Sequence, residues 1–168
     1  MLTNDLFMGL LVDPDLLRKA KSSALRLLKL RPRSVIELRD RLLQKNYPAA
    51  VVEKVVNDLT AAELLDDEAF AKAWVNWRLS GRPVGLRRIA QELKDKGIAR
   101  DVIDGLIAAS KEDFDEHAVV KGIAERRIQQ RAQKSVPFLK RKKRVLDYLL
   151  RRGFSADVIS RVIRDIKE

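Results

Sequence analysis

Apolar residues along the chain recur at intervals of three and four, and polar or proline-containing breaks separate these stripes. Val35, Leu38 and Leu42 lie on one face of a predicted helix. Ser34 precedes it and Glu37 follows three residues later, the spacing of a capping box: Ser34 accepts from the third backbone N–H while Glu37 reaches back. The helix should end near Lys45, where Asn46 can adopt the left-handed conformation of a helix C-cap. Tyr47-Pro48 then opens another helix, with Val51, Val52, Val55, Val56 and Leu59 along one stripe. Upstream, Asp13-Pro14-Asp15 has the form of a helix start, with Asp as cap and Pro at the first helical position. That helix carries Leu25, Leu27 and Leu28 and runs to about Leu30, where Arg31-Pro32 stops it. The residues before Asp13 show no clear period, and no regular element is expected there.

The same phrase returns twice. Leu38, Leu42, Asn46, Tyr47, Val51, Val52, Val55 and Val56 align with Ile89, Leu93, Gly97, Ile98, Val102, Ile103, Leu106 and Ile107, 51 residues on. A further 56 residues on stand Val145, Leu149, Gly153, Phe154, Val158, Ile159, Val162 and Ile163, so about five residues are inserted before the last copy's second helix. Asn, Gly and Gly occupy the cap, as left-handed geometry favours. Each copy also has a leading helix. In the second it starts at Asp66-Asp67 and carries Phe70, Trp74 and Trp77, which are read as core aromatics; in the third it lies between Asp113 and about Arg131, with Val120, Ala124 and Ile128 as a weak stripe. Ala61 to Leu65 connects the first two copies without a flexible linker. The expectation is an all-α protein of three tandem three-helix repeats forming an elongated, curved array. Its divisions are an N-terminal extension and helix start (1–22), then repeats at 23–65, 66–110 and 111–168.

Charge changes this picture from a scaffold to a binder. The 168 residues carry a formal net charge of +11, and residues 113–168 hold 15 of the 35 Lys and Arg against 8 of the 24 Asp and Glu. Such an excess attracts nucleic acid, an anionic surface or an acidic protein. The absence of Cys excludes disulfide and thiolate chemistry. Leu10 to Val12 is a short apolar run without a basic leader, and no stretch approaches a membrane span, so a cytoplasmic, non-membrane protein is expected.

Catalysis has no foothold among the motifs. His117, the single histidine, has no Cys to share a zinc site and no paired nucleophile. Asp66, Asp67 and Glu68 suit a helix N-terminus, where capping and the dipole favour acids. Gly81-Arg82-Pro83-Val84-Gly85 lacks the Lys-Ser/Thr ending of a phosphate loop. No cofactor or metal is expected. Two basic clusters are the candidates instead. Arg78, Arg82, Arg87 and Arg88 surround the 81–85 turn, and guanidinium forks suit carboxylate and phosphate. Lys140, Arg141, Lys142, Lys143 and Arg144 run along a helix whose apolar side is Phe138, Val145 and Leu149, so Lys140, Arg144 and Arg151 should project from the opposite side.

These residues also resemble a known family. Leu65-Asp66-Asp67, Phe70-Ala71, Arg78, Arg82-Pro83-Val84-Gly85, Arg87-Arg88-Ile89, Glu92-Leu93, Lys96-Gly97-Ile98 and Arg152-Gly153-Phe154 are similar to the RecX family of regulators of the RecA recombinase. The likeness covers roughly residues 23 to 166; Asn46 stands where Gly is usual, and an N-terminal extension is added. The resemblance implies a non-enzymatic monomer that binds the RecA–DNA filament and limits its growth, ATP turnover, strand exchange and co-protease activity. The alternative reading is a stand-alone protein of helix-turn-helix-like units that binds single- or double-stranded DNA.

Overall fold

The computed structural model describes residues 13–130 and 136–167. The aperiodic segment before Asp13 lies outside the described residues. Among those described there are nine α-helices and no strand. They are α1 (Pro14–Leu30), α2 (Val35–Leu43), α3 (Ala49–Ala61), α4 (Asp67–Ser80), α5 (Leu86–Asp95), α6 (Arg100–Asp113), α7 (Glu116–Ile128), α8 (Phe138–Arg151) and α9 (Ala156–Asp165). Three helices in tandem serve each repeat. By contacts the described residues divide into two compact units: 13–72 with 96–98, and 73–95 with 99–130 and 136–167.

In the first unit α1 packs on α2 and α3, and α2 on α3. Leu38, Leu42, Val52, Val55 and Leu59 are fully buried, each large aliphatic contributing about 1.5–3 kcal/mol by leaving water. The stripe of α1 differs from the sequence expectation. Ala20, Ser23 and Ala24 are its buried residues, Leu27 and Leu28 are half-buried, and Leu25 is exposed. Small residues face the core because α1 closely meets two helices at once, and Leu25 falls on its outer side. Asp13 caps the helix as expected, accepting from the Asp15 N–H at 2.8 Å.

The N-terminal caps tie the first unit together. Ser34 Oγ accepts from the Glu37 N–H at 3.2 Å, but the reciprocal half of the capping box is replaced. The Glu37 carboxylate instead accepts from Arg31 at 3.0 and 3.3 Å and from Lys96 Nζ at 2.6 Å. Asp66 Oδ1 caps α4, accepting from the N–H groups of Glu68 and Ala69, while Asp67 Oδ1 accepts from the Val35 N–H at 2.8 Å. The acidic pair therefore does capping work, one member on its own helix and one on α2. Burial pushes the Asp67 carboxyl above its ordinary range, against the pull of that N–H.

Every second helix closes through a left-handed residue: Asn46 (φ 62°), Gly97 (φ 75°) and Gly153 (φ 80°). In the first and third copies the hydrogen bonds are those of a Schellman turn. Tyr47 N–H donates to Leu42 O and Asn46 N–H to Leu43 O; Phe154 N–H donates to Leu149 O and Gly153 N–H to Leu150 O. The end of α3 repeats the device at Glu63 (φ 55°), which turns the chain toward buried Leu65 without a linker.

The two glycine turns meet other backbone or side chains closely. A Cβ on Gly97 would overlap the Ile36 side chain. In the second unit, a Cβ on Gly153 would sit 2.5 Å from the Arg88 backbone nitrogen, and one on Gly85 would overlap the Gly153 carbonyl. The Gly85 N–H donates to Arg152 O at 2.9 Å, joining the start of α5 to the end of α8. No corresponding demand falls on Asn46, which is exposed and needs only the left-handed backbone that Asn tolerates. Elsewhere in this unit α5 packs on α6, and α7, α8 and α9 pack on one another around Val120, Ala124, Ile128, Val145, Leu149, Phe154 and Ile159. The weak stripe expected of the third leading helix is thus its buried face.

Two consequences are measurable. Gly85→Ala forces backbone apart and should lower unfolding free energy by about 1–3 kcal/mol. Gly105→Ala, where an added Cβ meets nothing within 4 Å, should instead raise it by about 0.5–1 kcal/mol. Urea unfolding of both variants checks the contrast. The second concerns Glu37. Burial alone would raise its pKa, but the hydrogen bonds and charges of Arg31 and Lys96 win and hold it near 2, down from 4.5. A depressed carboxylate contributes stability above its unfolded pKa and loses it as pH falls through the folded one. Glu37→Gln should therefore cost about 1–3 kcal/mol at pH 7. Descending from about pH 4.5 to pH 2, the parent should lose more stability than the variant, as urea titrations across that range would show.

Candidate functional site

Both sequence-predicted basic clusters belong to the second compact unit. Around the 81–85 turn, α4 ends at Ser80 and α5 begins at Leu86, with buried Val84, Gly85 and Leu86 anchoring the turn between them. The four arginines divide into two kinds. Arg78 is half-buried and Arg88 exposed, yet both reach Glu92: Arg78 Nη2 donates to Oε1 at 2.9 Å with Nε 2.8 Å from Oε2, and Arg88 Nε donates to Oε1 at 3.1 Å. Trp74 Nε1 donates to the same carboxylate at 3.2 Å. Arg82 and Arg87 are exposed and, among the described residues, have no ion-pair partner. Glu92 is thus the hub of the cluster, and it leaves the four guanidiniums with a surplus of three positive charges.

Trp74 and Trp77 were expected in the core. Trp74 is half-buried, but Trp77 is 61% exposed. Helical spacing aligns Trp77 with Phe70, two turns earlier; Phe70 is covered in the first unit, where Lys96 Nζ lies 5.7 Å from its ring centre. About 10 Å further along the helix, Trp77 stays open to solvent although the Arg78 guanidinium lies 5.6 Å from its ring centre. The two indoles pack at 5.1 Å between centroids with a tilt of 53°.

On α8 the apolar side is as read: Val145 and Leu149 are buried and Phe138 half-buried. Lys140, Lys143, Arg144 and Arg151 are exposed on the opposite side, with Asp147 the one acid among them. Arg141 and Lys142 point elsewhere. Arg141 Nη1 donates to the Ile128 carbonyl at 3.2 Å, where a cation also suits the C-terminal end of α7. Lys142 Nζ lies 4.9 Å from the Phe138 ring centre and is half-buried. The run of five cations is therefore three outward charges and two turned inward, Arg141 to the end of α7 and Lys142 to Phe138 of its own helix.

One basic group escaped the sequence reading. Arg127 from α7 stacks over Tyr148 at 3.5 Å, and Arg152 Nε donates to the same hydroxyl at 3.0 Å. Burial pushes the Tyr148 pKa up, but the two guanidiniums outweigh it and hold the phenol below its ordinary range. The Tyr148–Arg152 spacing of four was a visible signal; the arrival of Arg127 from another helix was not. The surface these residues make can hold anionic groups by charge and bidentate hydrogen bonds. Among the described residues no His, Asp and Glu side chains gather as a metal site, and no helix is long and apolar enough to cross a membrane.

Comparison with known proteins agrees with the tandem architecture. Family models match three consecutive segments: RecX, first three-helix domain, at residues 20–59; RecX, second three-helix domain, at 66–105; and RecX, third three-helix domain, at 115–163. A regulatory protein RecX of Thermobifida fusca is 33% identical over 161 residues, covering 94% of this chain and 83% of the relative. One from Chlorobium limicola is 34% identical over 145 residues, covering 86% and 87%. A crystal structure of regulatory protein RecX superimposes with a TM-score of 0.75 at 25% identity, over 90% of this chain and 73% of that one. The RecX structure from Lactobacillus salivarius, at 21% identity and a TM-score of 0.71, shares the fold over 90% of this chain and 96% of its own. With three domain matches in order, relatives aligned over most of both chains and the same helical fold, the chain belongs to the RecX family of regulatory proteins.

Proposed function

We propose that this chain regulates the RecA recombinase, binding the RecA–DNA filament in the cytoplasm and limiting its growth, ATP turnover, strand exchange and co-protease activity. The observation that carries the reading is the ordered match of all three RecX domains, with relatives named as regulatory proteins over most of their length. The chain acts by occupancy, as a monomer and not as an enzyme. Arg82, Arg87, Lys140, Lys143, Arg144 and Arg151 are the outward cations that grip the filament, with Arg78 and Arg88 shaping the middle cluster. Six such charges set against phosphates would release condensed counterions, which makes binding strongly salt-dependent.

The same surplus of outward cations favours a second reading, a protein that binds DNA with no need of a recombinase. A salt titration with DNA alone separates the two. Contact with about six phosphates gives a log–log slope near −5 on duplex DNA. Tight, salt-steep binding without any effect on RecA supports the second reading.

The first reading is tested on preformed filaments of RecA from the same organism. Substoichiometric amounts of this protein should progressively lower the single-strand-dependent ATPase, with no ATPase of its own. Replacing Lys140, Lys143 and Arg144 together by Glu should raise the concentration needed for half-inhibition by about tenfold or more, since each charge is reversed and not merely lost. A folded triple variant with unchanged potency would remove α8 from the interface. Absence of inhibition by the parent chain at equimolar RecA would contradict the regulatory reading itself.

A further inference from the structure

Among the described residues Trp77 is the one exposed side chain of the Phe, Tyr and Trp set; the other large apolar residues that face solvent are aliphatic. An indole left 61% open on a surface presents its flat face to whatever meets that surface. Its setting is built and not loose. Trp74 packs against it at 5.1 Å, and the Trp74 ring is itself anchored by its Nε1 donating to Glu92 at 3.2 Å. The Arg78 guanidinium lies 5.6 Å from the Trp77 ring centre and is fixed to the same Glu92. The indole therefore stands in a defined orientation before anything binds, which lowers the ordering cost of a contact.

Charge then selects the occupant. Glu92 is the carboxylate that Arg78, Arg88 and Trp74 share, and exposed Arg82 and Arg87 follow Trp77 on the 81–85 turn and the first turn of α5. The α5 N-terminus adds further positive potential. A rigid π-face beside a surplus of guanidiniums matches a polyanion that presents bare π-faces. Single-stranded nucleic acid has both features, whereas a duplex keeps its bases stacked inside. We propose that Trp77 is a base-stacking platform for single-stranded DNA or RNA, with Arg82 and Arg87 tracking the adjoining phosphates. The proposal deepens the filament reading of this same arginine cluster, because it names the strand and not only the recombinase as what the cluster touches.

The test uses the full chain without RecA, titrated with oligo(dT) of about 20 nucleotides. Stacking on one aromatic corresponds to roughly 5- to 100-fold in affinity. Trp77→Ala should lower oligo(dT) affinity by that factor and leave the salt slope unchanged, since no charge is removed. Trp77→Phe should restore most of the affinity while abolishing the quenching of indole emission seen in the parent. Arg82→Ala and Arg87→Ala should each reduce the magnitude of the slope by about 0.7. Unchanged affinity in a Trp77→Ala variant with the parent's circular dichroism overturns the proposal. So does an equal loss on duplex of the same length, or failure of the parent to bind oligo(dT) at micromolar concentration. RecA inhibition by the parent, measured in parallel, reports on the regulatory reading separately: it can persist while the stacking proposal fails.

Discussion

A helix that ends in a left-handed residue can turn sharply, and when that residue is glycine the turn can also press against another backbone. The chain uses both properties. Gly153 and Gly85 meet with no Cβ between them, and the Gly85 N–H reaches the carbonyl of Arg152 at 2.9 Å. Gly97 lies against Ile36 in the first unit, with Lys96 next to it pairing with Glu37 at 2.6 Å. Register along the chain depends on these meetings. In each case the turn closing one second helix meets the first turn of an earlier second helix. The same geometry explains Asn46, whose exposed turn carries no such approach and can keep a side chain.

This division of labour leaves much of the charge for other uses. The cations that serve the fold have identifiable partners: Arg31 and Lys96 on Glu37, Arg39 on Glu53 at 2.6 and 2.9 Å, and Arg141 on the Ile128 carbonyl. Arg127 and Arg152 are spent on Tyr148. Among the described residues, the outward cations of α8 and of the 81–85 turn have no such partner. They raise the positive potential of the second unit in the folded state, where like charges repel and favour an anionic partner. Charge of this kind holds an anionic partner with a grip that responds to salt and to competing polyanions.

Much of this fold was legible in the residues themselves. The threefold phrase from Leu38, Ile89 and Val145 located the second and third helices, and Asn46, Gly97 and Gly153 are the left-handed closures expected. What escaped has a common physical origin. Periodicity tells which way a side chain points along its own helix, not what lies above it. Trp77 and Phe70 point alike, but only Phe70 is covered. Leu25 was grouped with Leu27 and Leu28, yet small Ala20 and Ala24 make the close contacts. Glu37 had the spacing of a capping box and found Lys96 instead, 59 residues away. The candidate site was legible as a set of cations; the split between those tied to Glu92 or Phe138 and those left outward was not.

Native-state amide exchange at Gly85 tests the centre of this account, that a backbone closure joins the middle and third repeats within the second unit. If the N–H of Gly85 is held by the Arg152 carbonyl, it should exchange as slowly as the amides of Leu149 and Ile159 in the helices beside it, opening only when that unit unfolds. Exchange at the rate of an open loop, with the α8 and α9 amides still protected, would show that the closure does not hold the two repeats together.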